Sequence, residues 1–122
     1  MALEEPPGEQ PRGVFNPHVV DLISYDEGSA EVVLLMIEER PWNGGETQIR
    51  EVEAKFNAYL EYVLGGHMVK QYPDYEGKAV RFQLDCVENP PSEWRNFFTA
   101  MTNFAAAEDI RVVVSVVQQP GA

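Results

Sequence analysis

Between Glu31 and Glu38 the chain runs Val32-Val33-Leu34-Leu35-Met36-Ile37, apolar at every position. Successive side chains of a strand point to opposite faces, so Val32, Leu34 and Met36 would face one way and Val33, Leu35 and Ile37 the other. A strand apolar on both sides is normally covered on both sides. The stretch from Val112 to Val117, interrupted only by Ser115, has nearly the same character. A fold for this chain must therefore place two such strands in a sheet and cover both of its faces.

The remaining elements arrange themselves around that demand. Residues 19–25 read as a first strand, and Asp26-Glu27-Gly28-Ser29 is turn chemistry that joins it to strand 31–38 as an antiparallel hairpin. Pro41, Asn43, Gly44 and Gly45 then break the chain. From residue 46 to 64 the apolar Ile49, Val52, Phe56, Tyr59, Leu60 and Val63 recur at helical spacing, and Gly65-Gly66 ends that helix. Residues 66–78 read as a loop that carries His67, Tyr72, Pro73 and Tyr75. Val80, Phe82, Leu84 and Cys86 alternate with Arg81, Gln83 and Asp85 in a third strand. Asn89-Pro90-Pro91 stops it, and Ser92 is placed to cap a second helix with Glu93 in its first turn. Trp94, Phe97, Phe98, Met101, Phe104 and Ala105 form the apolar face of that helix, and residues 111–117 a fourth strand.

The order ββαβαβ specifies an α+β fold, a two-layer α/β sandwich. Crossovers through helices make strands two, three and four parallel, with strand one antiparallel beside strand two. Crossovers of one hand put both helices on one face of this four-stranded mixed sheet. The other face then needs a cover, which three things would supply: the segment around Val14-Phe15, the loop with Tyr72 and Tyr75, or a second copy of the protein. The reading favours a homodimer through that second face.

A chain of 122 residues suits one domain with one core. Residues 1–13, rich in Pro, Glu and Gly, read as a disordered N-terminal tail; residues 14–118 as a single α/β domain; residues 119–122 as a frayed C-terminus. The lone Cys86 has no partner for an internal disulfide. The first residues lack a basic and apolar leader pattern, and no apolar run reaches the roughly 18 residues of a membrane span. A soluble, cytoplasmic protein is expected.

The net charge of −11 sets the expected partners. Nucleic acid and anionic membranes are disfavoured, since affinity for either comes from Lys and Arg. A basic protein is favoured. Residues 14–45 hold Asp21, Asp26, Glu27, Glu31, Glu38 and Glu39 against Arg40 alone, so an electrostatic partner site is sought there first, with Asp26, Glu27, Tyr72 and Tyr75 as partner-surface candidates.

Ligands of mostly parallel sheets bind beyond the carboxyl ends of the strands. That edge would gather Glu38, Glu39, Arg40 and Trp42 after strand two, Asp85 and Glu88 around the end of strand three, and His18 before strand one. Each has a plain structural role beside the functional one. Glu38 and Glu39 form either an acid/base pair or a solvated strand end; Arg40 binds an anion or pairs with a neighbouring carboxylate. Trp42 is a stacking platform or a lid on the first helix. Cys86 shares a face with Phe82 and Leu84 and reads as a buried, inert thiol. His18 and His67 lie at opposite ends, and no HxxH, CxxC or HExxH spacing occurs, so neither a metal nor a cofactor is expected. Gly44-Gly45 lacks the lysine of a phosphate loop and reads as a turn.

The stretches Val20-Asp21-Leu22-Ile23, Glu38-Glu39-Arg40-Pro41-Trp42, Gln71-Tyr72-Pro73-Asp74-Tyr75 and Gln83-Leu84-Asp85-Cys86-Val87, in this order, resemble a family of small uncharacterised bacterial proteins, a domain of unknown function. The resemblance spans about residues 16–118. It implies a bacterial, cytoplasmic origin and a self-standing domain, and brings no catalytic or binding residues with it. The function expected is that of a small acidic, non-enzymatic protein-interaction domain. The alternative is a small-ligand binder or enzyme using the carboxylate-lined cleft at the strand ends.

Overall fold

In a computed structural model, residues 11–43 and 45–117 are described; the expected tail up to residue 10, Gly44 and the expected frayed end lie outside them. The order of elements is β1 (Leu22–Asp26), β2 (Glu31–Glu38), α1 (Glu46–Leu64), α2 (His67–Gln71), β3 (Ala79–Cys86), α3 (Arg95–Ala106) and β4 (Ile110–Val116). The sheet order is β1-β2-β3-β4, with β1 antiparallel to β2 and the other pairs parallel. The expected α+β sandwich is the fold observed.

Register follows the apolar pattern, because a slip of one residue would exchange the faces of every strand. Val32 pairs with Val80, Leu34 with Phe82 and Met36 with Leu84, and β4 continues these rows through Ile110, Val112 and Val114. Val32, Leu34, Met36, Phe82 and Leu84 are wholly buried beneath Val52, Phe56, Tyr59, Met101 and Ala105 of the two long helices. Phe82 receives the ring edges of Phe56 and Tyr59 at centroid separations of 5.9 and 5.6 Å.

Four local expectations are corrected. β1 starts at Leu22 rather than at residue 19, since Asp21 accepts the Ile37 N–H through its carboxylate in place of a ladder bond. The expected loop 66–78 holds α2 and a 3₁₀ turn, Pro73–Tyr75, entered through Gly66 at φ +85°. Ser92 does not cap α3 with its side chain; Ser92–Trp94 is a 3₁₀ turn and the helix begins after it. Phe104 was expected on the apolar face of its helix but is 60% exposed.

The outer face differs from expectation too. Tyr75 stacks on Tyr25 at 6.3 Å and on Tyr72 at 5.5 Å. Tyr25 pairs with Val32 and so belongs to the helix side, which sets the stacked Tyr75 ring beside that edge strand. Val14 donates its N–H to the Ile37 carbonyl at 2.8 Å, prolonging the edge beside β2 rather than spreading across the sheet.

Candidate functional site

At the end of β2 the Glu38 side chain turns to the helix side and is 2% exposed. Arg40 folds back onto it: Nε donates to Oε1 at 2.8 Å, Nη2 to Oε2 at 2.6 Å, and the backbone N–H to Oε1 at 2.9 Å. The same Nη2 reaches Glu51 Oε1 of α1 at 2.8 Å, and the guanidinium lies 5.8 Å above the Phe15 ring. Burial pushes the Glu38 carboxyl up, but the hydrogen bonds from Arg40 outweigh it and leave the pKa lowered. The hydrogen bond to Glu38 raises Arg40 in turn. A fork-to-fork pair of this kind is a strong clamp, fixed in geometry by both planar groups.

Trp42 joins the exits of β2 and β3. Its N–H donates to Glu88 Oε1 at 3.0 Å and its indole Nε1 to the Glu88 carbonyl at 2.9 Å, while its ring meets the edge of Phe98 at 6.2 Å. Gln48 on the first turn of α1 is buried and holds the intervening loop, accepting from the Asn43 N–H at 3.1 Å. Glu38, Arg40, Trp42 and Glu88 are thus gathered as expected, into a latch between loop, sheet and helix. Asp85 and Glu39 are not part of it. Asp85 faces the outer side and accepts from Gln83 Nε2 at 2.9 Å, and Glu39 is exposed. His18 is exposed, and its backbone N–H donates to Asn16 Oδ1 at 3.0 Å. Cys86 is buried, its thiol pushed up to about 11 chiefly by that burial.

The acidity of residues 14–45 is largely neutralised by the segment's own Arg40 and by three cations from elsewhere in the chain. Asp21 pairs with Lys55, Asp26 with Arg81, Glu31 with Arg81 and Arg111, and Glu38 with Arg40. Among the described residues only Glu27 and Glu39 of that segment have no ion pair, and both are exposed. Glu31 forms a cross-strand network, accepting from Arg111 Nε at 2.9 Å, Arg111 Nη2 at 2.7 Å and Arg81 Nη1 at 2.8 Å. Hydrogen bonds led by Arg111 lower its carboxyl to about 2.

Beyond that network the outer face becomes apolar. Leu22, Leu35, Gln83 and Val113 form one cross-sheet row, and Ile37, Asp85 and Ser115 the next. Leu22 is 49% exposed, and Leu35, Ile37 and Val113 are partly exposed. At the strand-end corner a cavity of about 220 Å³ is lined by Ile37, Phe15, Arg12, Glu38, Glu39 and Arg40. A second cavity, about 200 Å³, lies between α1 and α3 beside Phe56, Phe97, Met101 and Phe104, with Glu53 at its wall. Among the described residues no three His, Cys, Asp or Glu side chains come together to hold a metal ion, and no helix is long and apolar enough to cross a membrane.

A family model, that of a family of unknown function (DUF6572), matches residues 13–118. The chain belongs to that family. No curated protein and no solved structure matches it.

The feature of this DUF6572 member that sequence reasoning missed is internal. Lys55 on α1 is fully buried and donates through Nζ to Asp21 Oδ1 at 2.7 Å, Val19 O at 2.8 Å and Asn16 O at 2.6 Å. Asp21 also accepts the N–H groups of Gly13 and Ile37, at 2.8 and 2.9 Å. Tyr59, one turn beyond Lys55, donates its hydroxyl to the Leu35 carbonyl at 2.6 Å and accepts from the Asp21 N–H at 2.9 Å. Burial lowers Lys55, with Asp21 opposing, and raises Tyr59 well above its ordinary range. The signal was present: Lys55 stands among Val52, Phe56 and Tyr59, on the helical stripe that faces the core.

Proposed function

We propose that this protein is a non-enzymatic interaction domain that binds a basic protein through the outer face of its sheet. The observation that carries the reading is the apolar band of Leu22, Leu35, Ile37 and Val113, open on a face where no helix of the described chain packs and bounded by charged residues. An apolar patch with a polar rim is the anatomy of a protein contact. Glu39 and Asp85 at one end and Glu27 at the other supply a rim that attracts cations, and the chain's −11 charge steers a basic partner toward it. A second copy laid face to face would bring these carboxylates against their own kind. The saturation of Glu38 and Arg40 by each other supports a structural role for the strand-end latch. The reading includes the bacterial, cytoplasmic setting that the family resemblance implies.

A second reading rests on the 220 Å³ cavity, where Phe15 and Ile37 supply apolar walls and Arg12, Glu39 and Arg40 polar ones for a small ligand.

The test uses the tagged protein as bait, with Leu22→Glu and the pair Glu27→Lys/Glu39→Lys compared at low and moderate salt. A basic protein retained by the unmodified chain, lost with Leu22→Glu and weakened by the charge reversals at low salt is the expected result. Equal retention by Leu22→Glu places the contact elsewhere and overturns the reading. A small molecule that stabilises the unmodified protein but not an Ile37→Glu variant favours the cavity instead.

A further inference from the structure

The second edge of the sheet carries a feature that the outer-face reading leaves unused. Among the described residues β4 pairs only with β3, which leaves its other side as an open edge of seven residues. Val117 donates its N–H to the Cys86 carbonyl at 2.8 Å, which fixes the alternation: the backbone groups of Val117, Ser115 and Val113 turn toward β3. Those of Val112, Val114 and Val116 turn to the open side, where among the described residues they meet no other strand. Open edges of this sort are templates for a further strand, and proteins usually blunt them with charge, proline or a bulge. Here the β3–β4 register runs without a bulge, and the strand carries little else to blunt its edge. Residues 110–117 contain no carboxylate, no proline and a single charge, Arg111, which is held by Glu31. Val114, Val116 and Val117 are 37, 42 and 46% exposed.

The charge distribution says what fits there. Residues 1–93 contain eighteen carboxylates against seven Lys and Arg, whereas residues 94–122 contain two of each. The whole −11 thus belongs to the part of the chain before α3, and on β4 itself the one charge, Arg111, is paired with Glu31. A second copy that lays its β4 along this one therefore brings no unpaired charge of the strand against its own kind.

We infer that two copies of this chain pair antiparallel through β4, about a two-fold axis at Val114, and so form a continuous eight-stranded sheet. The register is self-complementary. With Val114 opposite its counterpart, Val112 faces Val116 and Val116 faces Val112, and each of these three facing pairs exchanges two N–H···O bonds. Off the axis Arg111 stands opposite Val117 and Val113 opposite Ser115, so no like charges meet. The contact is isologous and closes at two copies, because β1, the opposite edge, is shorter and differs in sequence. The mode is independent of the outer face, whose apolar band it leaves open and repeats on one side of a sheet twice as wide.

Sedimentation equilibrium and light scattering on the full chain over a concentration series test this. The unmodified protein is expected to reach dimer mass with a dissociation constant in the micromolar range, ordinary for a modest interface. Val114→Pro removes the axial N–H on the open side without touching the β3 ladder, and should weaken association about tenfold to a hundredfold. Val114→Lys, with unchanged circular dichroism, covers the case in which the proline variant does not fold, and should do the same. Val114→Cys should yield a disulfide-linked dimer on mild oxidation, as facing Cα atoms in such a pair lie about 5.5 Å apart. Monomer mass at every concentration, or dimer mass retained by a folded Val114→Lys, overturns the proposal. So does dissociation by the outer-face variant Leu22→Glu, which would put the second copy on the other surface.

Discussion

Lys55 and Asp21 form an ion pair, Nζ to Oδ1 2.7 Å, with both side chains fully shielded from solvent. The pair ties α1 to residues 13–21, and Asp21 carries the tie onward to β2 through the Ile37 N–H. A buried pair contributes little beyond what well-packed apolar residues would, but removing one member strands the other's charge. Lys55→Met is therefore expected to cost about 3–5 kcal/mol. Adding Asp21→Asn to it should cost less than the two single changes summed. Urea unfolding of the three variants measures this; strict additivity would mean that the two groups act separately.

Tyr59 completes the same junction. Its hydroxyl bridges the Leu35 carbonyl and the Asp21 N–H. Tyr59→Phe leaves both backbone groups without that partner and should cost about 1–3 kcal/mol with the fold unchanged. Faster amide exchange at Asp21 than in the unmodified protein would accompany it. Unaltered exchange would show that the hydroxyl is dispensable there.

Acid should act through Glu31. Its carboxyl lies at about 2 in the folded protein against an ordinary 4.5. A depressed folded pKa means that the unfolded chain binds more protons through the interval between the two values. The stabilisation is therefore complete above about pH 4.5 and is lost as pH falls toward 2. Glu31→Gln should flatten the stability profile over that window and leave its shape at higher pH alone. Equal slopes for the two proteins in thermal melts would count against the Arg81–Glu31–Arg111 network.

Cys86 should be silent in the folded state. Burial holds its thiol near 11, and the sulfur donates to the Ser115 carbonyl at 3.4 Å. At pH 8 a thiol reagent is expected to react at least about a hundredfold more slowly with the native protein than with the urea-unfolded one. Comparable rates would reveal access from the strand end near Trp42.

Much of the fold could be read from periodicity, because period-two and period-3.6 patterns are local properties of the chain. The run Val32 to Ile37 marked β2 as central, and the spacing Ile49, Val52, Phe56, Tyr59 marked α1 and its buried face. A resemblance to a family of unknown function could be read from the sequence too, and a model of such a family covers residues 13–118. At the candidate site the gathering of Glu38, Arg40, Trp42 and Glu88 was also accessible, since topology alone sends those segments to one edge. Their pairing was not: Arg40 meets Glu51 only because α1 returns across the end of β2.

The largest departure concerned charge. Counted along the chain, residues 14–45 are strongly acidic; in space, Lys55, Arg81 and Arg111 come to them from α1, β3 and β4. Coulomb interaction depends on distance through the fold, and the pairs at Glu31 and Asp21 span fifty, eighty and thirty-four positions. The sequence by itself determined the elements, their order and the apolar face of each strand, because these follow from near neighbours. Tertiary structure alone decided which carboxylates keep their charge toward solvent, why β1 begins after Asp21, and which face and edge of the sheet stay open. Those depend on contacts between segments that only folding brings within hydrogen-bonding distance.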